Sequence, residues 1–238
     1  MSNKKRGIAH IEMAISFGMF ALFTFWLIVY LNPVKNQNIS NVLIDTVERG
    51  IIRNASIDVA SVPVNAIAPA AATCFKIKNP FNTTNTSNMF IRDVNDKLLK
   101  FSFPESGNIS IEKSGIFYRL YYGDATFNPP SLSGTCPALN SSQMNYTSAR
   151  VSTPLFIARL EYIKWLYEND YDALKDSFSF PHSSDFNINI TNLLTKQNLF
   201  EMKRAKPQRV DVVARELPVE IIQRDGSMIR SMMNLQVW

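Results

Sequence analysis

The sequence predicts an α+β protein: an N-terminal transmembrane helix followed by an extracytoplasmic, antiparallel β-rich domain with one or two packed helices. Three observations support this fold class. No charged side chain occurs from Met13 to Leu31, and a helix of that length approaches the roughly 30 Å of a bilayer core. Short β-type runs separated by turn residues fill much of the remaining chain. A strongly apolar segment after Pro154 has the composition of a packed helix.

The first 33 residues predict a single membrane span. Residues 1–7 form a basic leader, and residues 8–33 form a transmembrane helix that ends at Pro33. Lys and Arg beside a span resist translocation. The leader is therefore expected in the cytoplasm, and the C-terminal domain outside a single-pass cell membrane.

The spacing in this segment is more specific than that of an ordinary anchor. Gly7 follows the basic residues, and Glu12 is the fifth residue after it, where the apolar helix begins. This arrangement resembles the class III (prepilin-type) signal of type IV pilins, closest in character to archaeal pilin-like membrane proteins. The resemblance implies that a prepilin-type peptidase cuts between Gly7 and Ile8, and that the helix then packs against other pilin-like subunits in a pilus. Ile8 departs from the family pattern, in which phenylalanine or glutamine is usual.

Glu12 has two interpretations. An ionised carboxylate in apolar surroundings needs a partner, and the ammonium group freed on a neighbouring subunit would provide one. Alternatively, the side chain reaches the headgroups at the membrane boundary. The sequence thus predicts a structural or minor subunit of a type IV pilus-like surface filament. The alternative is a permanently membrane-anchored, extracellular binding or adhesion domain that does not polymerise.

Cys74 and Cys136 are the only cysteines in the sequence. An oxidising exterior favours a disulfide between them, and two buried free thiols are the alternative. Two thiols with no histidine nearby do not make a zinc site.

Sequons of the type Asn-x-Ser/Thr are more frequent than the composition leads one to expect. They begin at Asn38, Asn54, Asn82, Asn85, Asn108, Asn140, Asn145 and Asn189. All lie beyond the predicted span, which favours a glycosylated outer surface. The alternative is that a chain rich in Asn, Ser and Thr contains such triplets without using them.

Turn signals divide the rest of the chain. Residues 34–54 predict a juxtamembrane helix, and residues 55–238 predict the α+β domain, with a loop near 128–148 that could separate two lobes. Short runs on either side of residues 95–97, and again of residues 113–115, predict hairpins in an antiparallel meander.

The C-terminal third begins with the clearest soluble helix. Proline in its first turn places the start at Pro154, and a second short helix is expected over residues 170–178. Residues 192–208 look basic and mobile. Asp225-Gly226, between two apolar runs, predicts a long terminal hairpin, whose first strand is an edge or carries a bulge at Pro218.

Motifs for catalysis or cofactor binding are absent from the sequence. The two histidines are His10 and His182, and no nucleophile elbow, phosphate-binding loop or His-Glu-x-x-His occurs. The sequence therefore predicts no enzymatic activity and no cofactor.

Two charged groups remain as weaker candidates for ligand binding. The acidic residues Glu168, Asp170, Asp172 and Asp176 lack the spacing of a calcium loop and are interpreted as a solvated face. The basic residues Lys196, Lys203, Arg204, Lys206 and Arg209 could contact extracellular DNA or anionic surface polymers, with a solvated loop as the alternative. Net charge adds little, because the leader supplies three of the five net positive charges.

Overall fold

The computed structural model describes residues 4–30, 34–81, 83, 86–103, 107–208 and 210–238. Side chains are described from Met13 to Ile28, and from Asn41 onward apart from Thr86. The chain divides into two compact units, Met1–Val42 and Leu43–Trp238.

The first unit contains α1 (Lys4–Tyr30) and the beginning of α2 (Val34–Ala55). Within the described residues, no helix combines the length and apolar character needed to cross a membrane. The transmembrane helix predicted over residues 8–33 is therefore wrong, and so is the single-pass cell-membrane location inferred from it. A helix does form there, over Lys4–Tyr30.

The second unit is a β-rich α+β domain, as predicted. Besides the end of α2, it contains α3 (Ile157–Asn169) and α4 (Tyr171–Phe178). The strands are β1 (Val59–Ala66), β2 (Cys74–Lys78), β3 (Met89–Asp93), β4 (Phe101–Ser102), β5 (Asn108–Glu112), β6 (Phe117–Gly123), β7 (Met144–Tyr146), β8 (Arg150–Ser152), β9 (Leu155–Phe156), β10 (Phe186–Asn192), β11 (Asn198–Met202), β12 (Val213–Ile222) and β13 (Met228–Val237). Short 3-10 helices cover Thr86–Asn88 and Ser141–Gln143.

The helices pack on one sheet, here called the β13 sheet, with strand order β11-β10-β13-β12-β9. All its neighbours are antiparallel except β9 and β12. Ile44, Val47 and Ile51 recur at helical spacing, so α2 has one apolar face. That face is buried in a core with α3, α4 and the inner side of the sheet.

A half-buried contact that no local sequence pattern indicates also holds α2 on this sheet. Arg215 of β12 donates hydrogen bonds from one guanidinium nitrogen to Asp45 (2.5 Å) and Glu48 (2.9 Å), one turn apart on α2. These carboxylates raise the pKa of Arg215 further above its ordinary value. Arg215 therefore stays protonated, and its positive charge interacts with both carboxylates on the side of α2 that faces β12.

The β1 sheet (β3-β6-β1-β7, with β8 also paired to β1) and the β2 sheet (β2-β5-β4) share a second core. Of the predicted meander, the turn at residues 95–97 closes only a short antiparallel contact, in which Arg92 pairs with Leu98, and the pairing does not continue into β4. β3 pairs with β6, while β4 pairs with β5, so the chain passes from one sheet to the other at each turn interpreted as a hairpin. Turn residues determine where a chain reverses, but they do not determine which strand it then pairs with.

The disulfide predicted between Cys74 and Cys136 is present, with a Cα–Cα distance of 5.4 Å. It joins β2 to the segment near residues 128–148. That segment also contains β7, which pairs with β1. The chain on both sides of it belongs to the same compact unit.

The C-terminal third differs from the prediction at two places. α3 begins at Ile157 rather than Pro154, because Leu155 and Phe156 pair as β9 with the end of β12. Within residues 192–208, β11 pairs with β10, so this segment is not the mobile loop expected.

The terminal hairpin is confirmed. Ile222 pairs with Met228 across a turn in which Gly226 has φ +89°. At Pro218, β12 pairs with β13 on one side. On its other side β9 pairs only with Ile221 and Ile222, so Pro218 has no second strand neighbour among the described residues. The edge position predicted for Pro218 is therefore correct.

Candidate functional site

The main candidate is the apolar surface of α1, defined here as the α1 surface. Ten of the eleven large apolar side chains within the described part of the helix are exposed, and Leu27 is half-buried. The exposed ones are Met13, Ile15, Phe17, Met19, Phe20, Leu22, Phe23, Phe25, Trp26 and Ile28. Met13, Phe17 and Leu22 are 75%, 72% and 71% exposed. Exposed apolar residues at adjacent positions point about 100° apart, so the α1 surface runs all the way round the helix.

The size of the α1 surface distinguishes it from ordinary surface hydrophobicity. Ten side chains exposing on the order of 100 Å² each give about 1,000 Å². The largest apolar patch on a typical monomer is about 300–600 Å². The polar atom of Thr24 does not interrupt the surface, because its hydroxyl donates to the Phe20 carbonyl oxygen (2.8 Å) in the same helix.

The predicted processing residues lie at the beginning of this helix. The backbone of Gly7, Ile8 and Glu12 belongs to α1, while their side chains lie outside the described residues. The Gly7–Ile8 bond is thus part of helical backbone in this structure. Farther along α1, a Cβ added at Gly18 would meet no atom within 4 Å, so no other described group packs on the helix at that position.

The exposed sequons are those of Asn140 and Asn145. Asn140 precedes the second 3-10 helix, and its backbone N–H donates to the Gln143 side chain (3.0 Å). Asn145 lies on β7 with its side chain exposed. Both amides are open to solvent, as attachment of a glycan requires.

The other described sequons lie in more restricted surroundings. Asn54 donates to the Gly50 carbonyl oxygen (2.8 Å) in α2. Asn108 is half-buried on β5, and Asn189 is half-buried on β10 between two paired strands. The sequon residues Asn82 and Asn85, and the side chain of Asn38, lie outside the described residues.

The acidic group near α4 is already engaged within the fold. Asp170 caps α4 by accepting from the Ala173 N–H (3.2 Å). The ring nitrogens of His182 lie 3.3 Å from Asp172 and 3.0 Å from Asp176. Among the described residues, no group of three or more His, Cys, Asp or Glu side chains is arranged to hold a metal ion.

Of the basic residues in the segment 196–209, Arg204 is engaged within the fold. The Arg204 guanidinium lies 3.7 Å from the centroid of the Tyr171 ring, a cation–π contact that stabilises the fold. Lys196 occupies a turn with φ +58°. Lys203 and Lys206 are exposed, and Arg209 lies outside the described residues.

No family model, curated protein or solved structure matches the chain significantly.

Proposed function

We propose that this protein is a structural or minor subunit of a type IV pilus-like filament, a non-catalytic role in which the α1 surface packs against α1 of neighbouring copies. The observation that carries the proposal is a helix with exposed apolar side chains on every side. A helix that is hydrophobic all round belongs to the interior of a larger assembly.

The size of the α1 surface is sufficient for association. Burial of about 1,000 Å² at about 25 cal/mol per Å² corresponds to at most about 25 kcal/mol. The loss of translational and rotational freedom on association costs about 4–15 kcal/mol. Even partial coverage by neighbouring helices would therefore favour assembly.

The amino-terminal sequence supports the same role. Cleavage after Gly7, as in the prepilin-type signal that it resembles, would remove the three leader cations Lys4, Lys5 and Arg6. It would also free an ammonium group at Ile8. On a neighbouring subunit this group could pair with the Glu12 carboxylate, which would otherwise be an isolated charge in an apolar helix bundle.

The first test introduces a charge on the α1 surface. Leu22→Glu should abolish filaments and reduce sedimentation to that of the single chain, because each copy would bury an unpaired carboxylate. Leu194→Glu is the matched control, since Leu194 is 89% exposed in the turn between β10 and β11. Electron microscopy and analytical ultracentrifugation give the result. If both variants assemble equally well, α1 is not the assembly surface.

The second test is the intact mass and amino-terminal sequence of the protein from its native source. A chain that starts at Ile8 has been processed at the predicted bond. A chain that retains Lys4, Lys5 and Arg6 would contradict processing by a prepilin-type peptidase. Together with monomeric behaviour, it would identify a binding or adhesion domain that does not polymerise.

A further inference from the structure

A cleft lined by three arginines lies on the outer face of the β1 sheet. On β1, Val62 and Val64 point into the core shared with the β2 sheet, so Pro63 and Asn65 point to the other side. Two cavities of about 590 Å³ and about 180 Å³ lie on that side. Both are lined by Asp96, Arg119 and Arg230, and together they are called the arginine cleft.

Two of the arginines are directly opposed on neighbouring strands. Arg92 of β3 is the register partner of Arg119 of β6, so both side chains leave the same face at adjacent positions. Like charges directly opposite each other in a sheet are destabilising. Arg230 of β13 adds another cation to the same cleft.

Groups within the domain offset part of this charge. Arg119 is exposed and donates to the Tyr121 hydroxyl (3.3 Å), and this contact, together with Asp96, raises the pKa of Arg119. Asp96 lies 3.6 Å from Arg92 and is itself 60% exposed, and Glu220 lies 3.8 Å from Arg230. Asp93 is nearby but is committed to its own turn. Burial alone would raise the pKa of Asp93, but hydrogen bonds from Ser114 and two backbone N–H groups outweigh burial and lower it.

Two buried polar atoms at the cleft have no hydrogen-bond partner within the described residues. One is Nε of Arg92, a residue only 7% exposed, and the other is Oδ1 of Asn65. A buried polar group left unpaired is destabilising, because its hydrogen bonds to water are lost and not replaced. The cleft therefore presents one unpaired donor, on a cation, and one unpaired acceptor.

We infer that the arginine cleft binds an acidic saccharide. A carboxylate of the sugar would accept hydrogen bonds from Arg92, Arg119 and Arg230, and a sugar hydroxyl would donate to Asn65 Oδ1. Phe117, which is 51% exposed and lines the larger cavity, offers an apolar face for a sugar ring. This site does not depend on filament assembly through α1.

Size and chemistry favour a saccharide over other anions. A cavity of about 590 Å³ falls in the range of small-molecule sites, about 300–1,000 Å³, and is much larger than one inorganic anion. Single-stranded nucleic acid binds along successive stacking rings, but Phe117 is the exposed ring among the residues described around the cleft.

The test measures binding of trigalacturonate to the full chain by isothermal titration calorimetry, with maltotriose as the neutral analogue. Trigalacturonate should bind and maltotriose should not. Arg119→Gln should weaken binding at least about tenfold. The matched control is Arg49→Gln, which removes the same charge from the exposed surface of α2 and should change the affinity less than about twofold.

Two further measurements separate a saccharide site from a general anion site. Asn65→Leu should weaken trigalacturonate binding while leaving binding of inorganic phosphate unchanged. Without ligand, Arg119→Gln should leave Tm within about 1 °C, because loss of the like-charge pair is offset by loss of the hydrogen bond to Tyr121. An unchanged Tm together with weaker binding shows that the variant is folded.

Several results would overturn the inference. Equal binding of maltotriose would remove the role of charge, and equal effects of Arg119→Gln and Arg49→Gln would remove the role of the cleft. Tighter binding of a short single-stranded oligodeoxynucleotide than of trigalacturonate would identify a nucleic-acid surface. Phosphate binding as tight as that of trigalacturonate would identify a plain anion site.

Discussion

Gly50 lies where α2 passes over the ring of Phe178, and its replacement by alanine sets two effects of known size against each other. Alanine is more favourable than glycine in a helix by about 1 kcal/mol. A Cβ at this position, however, would clash with Cγ of Phe178 and lie 2.7 and 2.8 Å from its two Cδ atoms. Phe178 is 4% exposed and stacks on Phe186 at 5.8 Å, so the ring has little room to move.

The expected result is that the clash outweighs the helix propensity. Overpacking a core costs about 1–3 kcal/mol, so Gly50→Ala should lower the free energy of unfolding by about 1–2 kcal/mol in urea titrations. Phe178→Ala alone should lower it by about 3–5 kcal/mol. With the ring absent, Gly50→Ala should become stabilising by up to about 1 kcal/mol.

The comparison of the two backgrounds is the decisive measurement. The sign of the Gly50→Ala effect should reverse when Phe178 is alanine, which gives a coupling free energy of about 2–3 kcal/mol between the two positions. A stabilising Gly50→Ala in the parent, or additive effects in the double variant, would refute the close packing of α2 on this ring. Gly18→Ala provides a contrast, because no atom lies within 4 Å of the added group.

Three further predictions concern the covalent and titratable features of the domain. Replacing Cys74 and Cys136 by serine should lower the free energy of unfolding by about 4 kcal/mol through the entropy of the 62-residue loop, and an unchanged urea midpoint would contradict this. Burial raises the pKa of Tyr171 well above its ordinary value of 10.0; stability should therefore be constant below pH 10.0 and fall as the pH rises above it, because the unfolded chain ionises first. Tyr171→Phe should flatten that alkaline loss of Tm, and an identical slope would exclude Tyr171 as its source. In a host that glycosylates, mass spectrometry of glycopeptides should find Asn140 modified and Asn189 bare, because Asn189 lies on β10 between two paired strands.

The features that the sequence predicted correctly depend on local chemistry. Asp225-Gly226 specifies a tight reversal between two apolar strands, and Pro218 cannot donate to a second neighbour, so hairpin and edge follow from the residues themselves. The single pairing open to Cys74 and Cys136 is equally direct. Each of these predictions concerns a few neighbouring residues or the only possible pair.

The predictions that failed depend on competition between distant segments. β3 and β4 flank a good turn, yet β3 pairs with β6 and β4 pairs with β5. Pro154 is a good first helical residue, but the two residues after it gain more by pairing with β12 than by extending α3. Local propensity is weak beside such tertiary contacts.

The arginine cleft shows why a site can be invisible in sequence and clear in structure. Arg92, Arg119 and Arg230 are separated by 27 and 111 residues, and no motif connects them. Their strands are brought together by pairing and packing that are driven by the apolar residues on the opposite faces. Once the strands are adjacent, Arg92 and Arg119 lie directly opposite each other. Like charges in that arrangement are destabilising. The fold retains this opposed pair, and a bound carboxylate would turn it from a cost into a source of affinity. Arg119→Gln should therefore weaken the complex while leaving the Tm of the free protein within about 1 °C, a combination that a purely structural role for Arg119 would not produce.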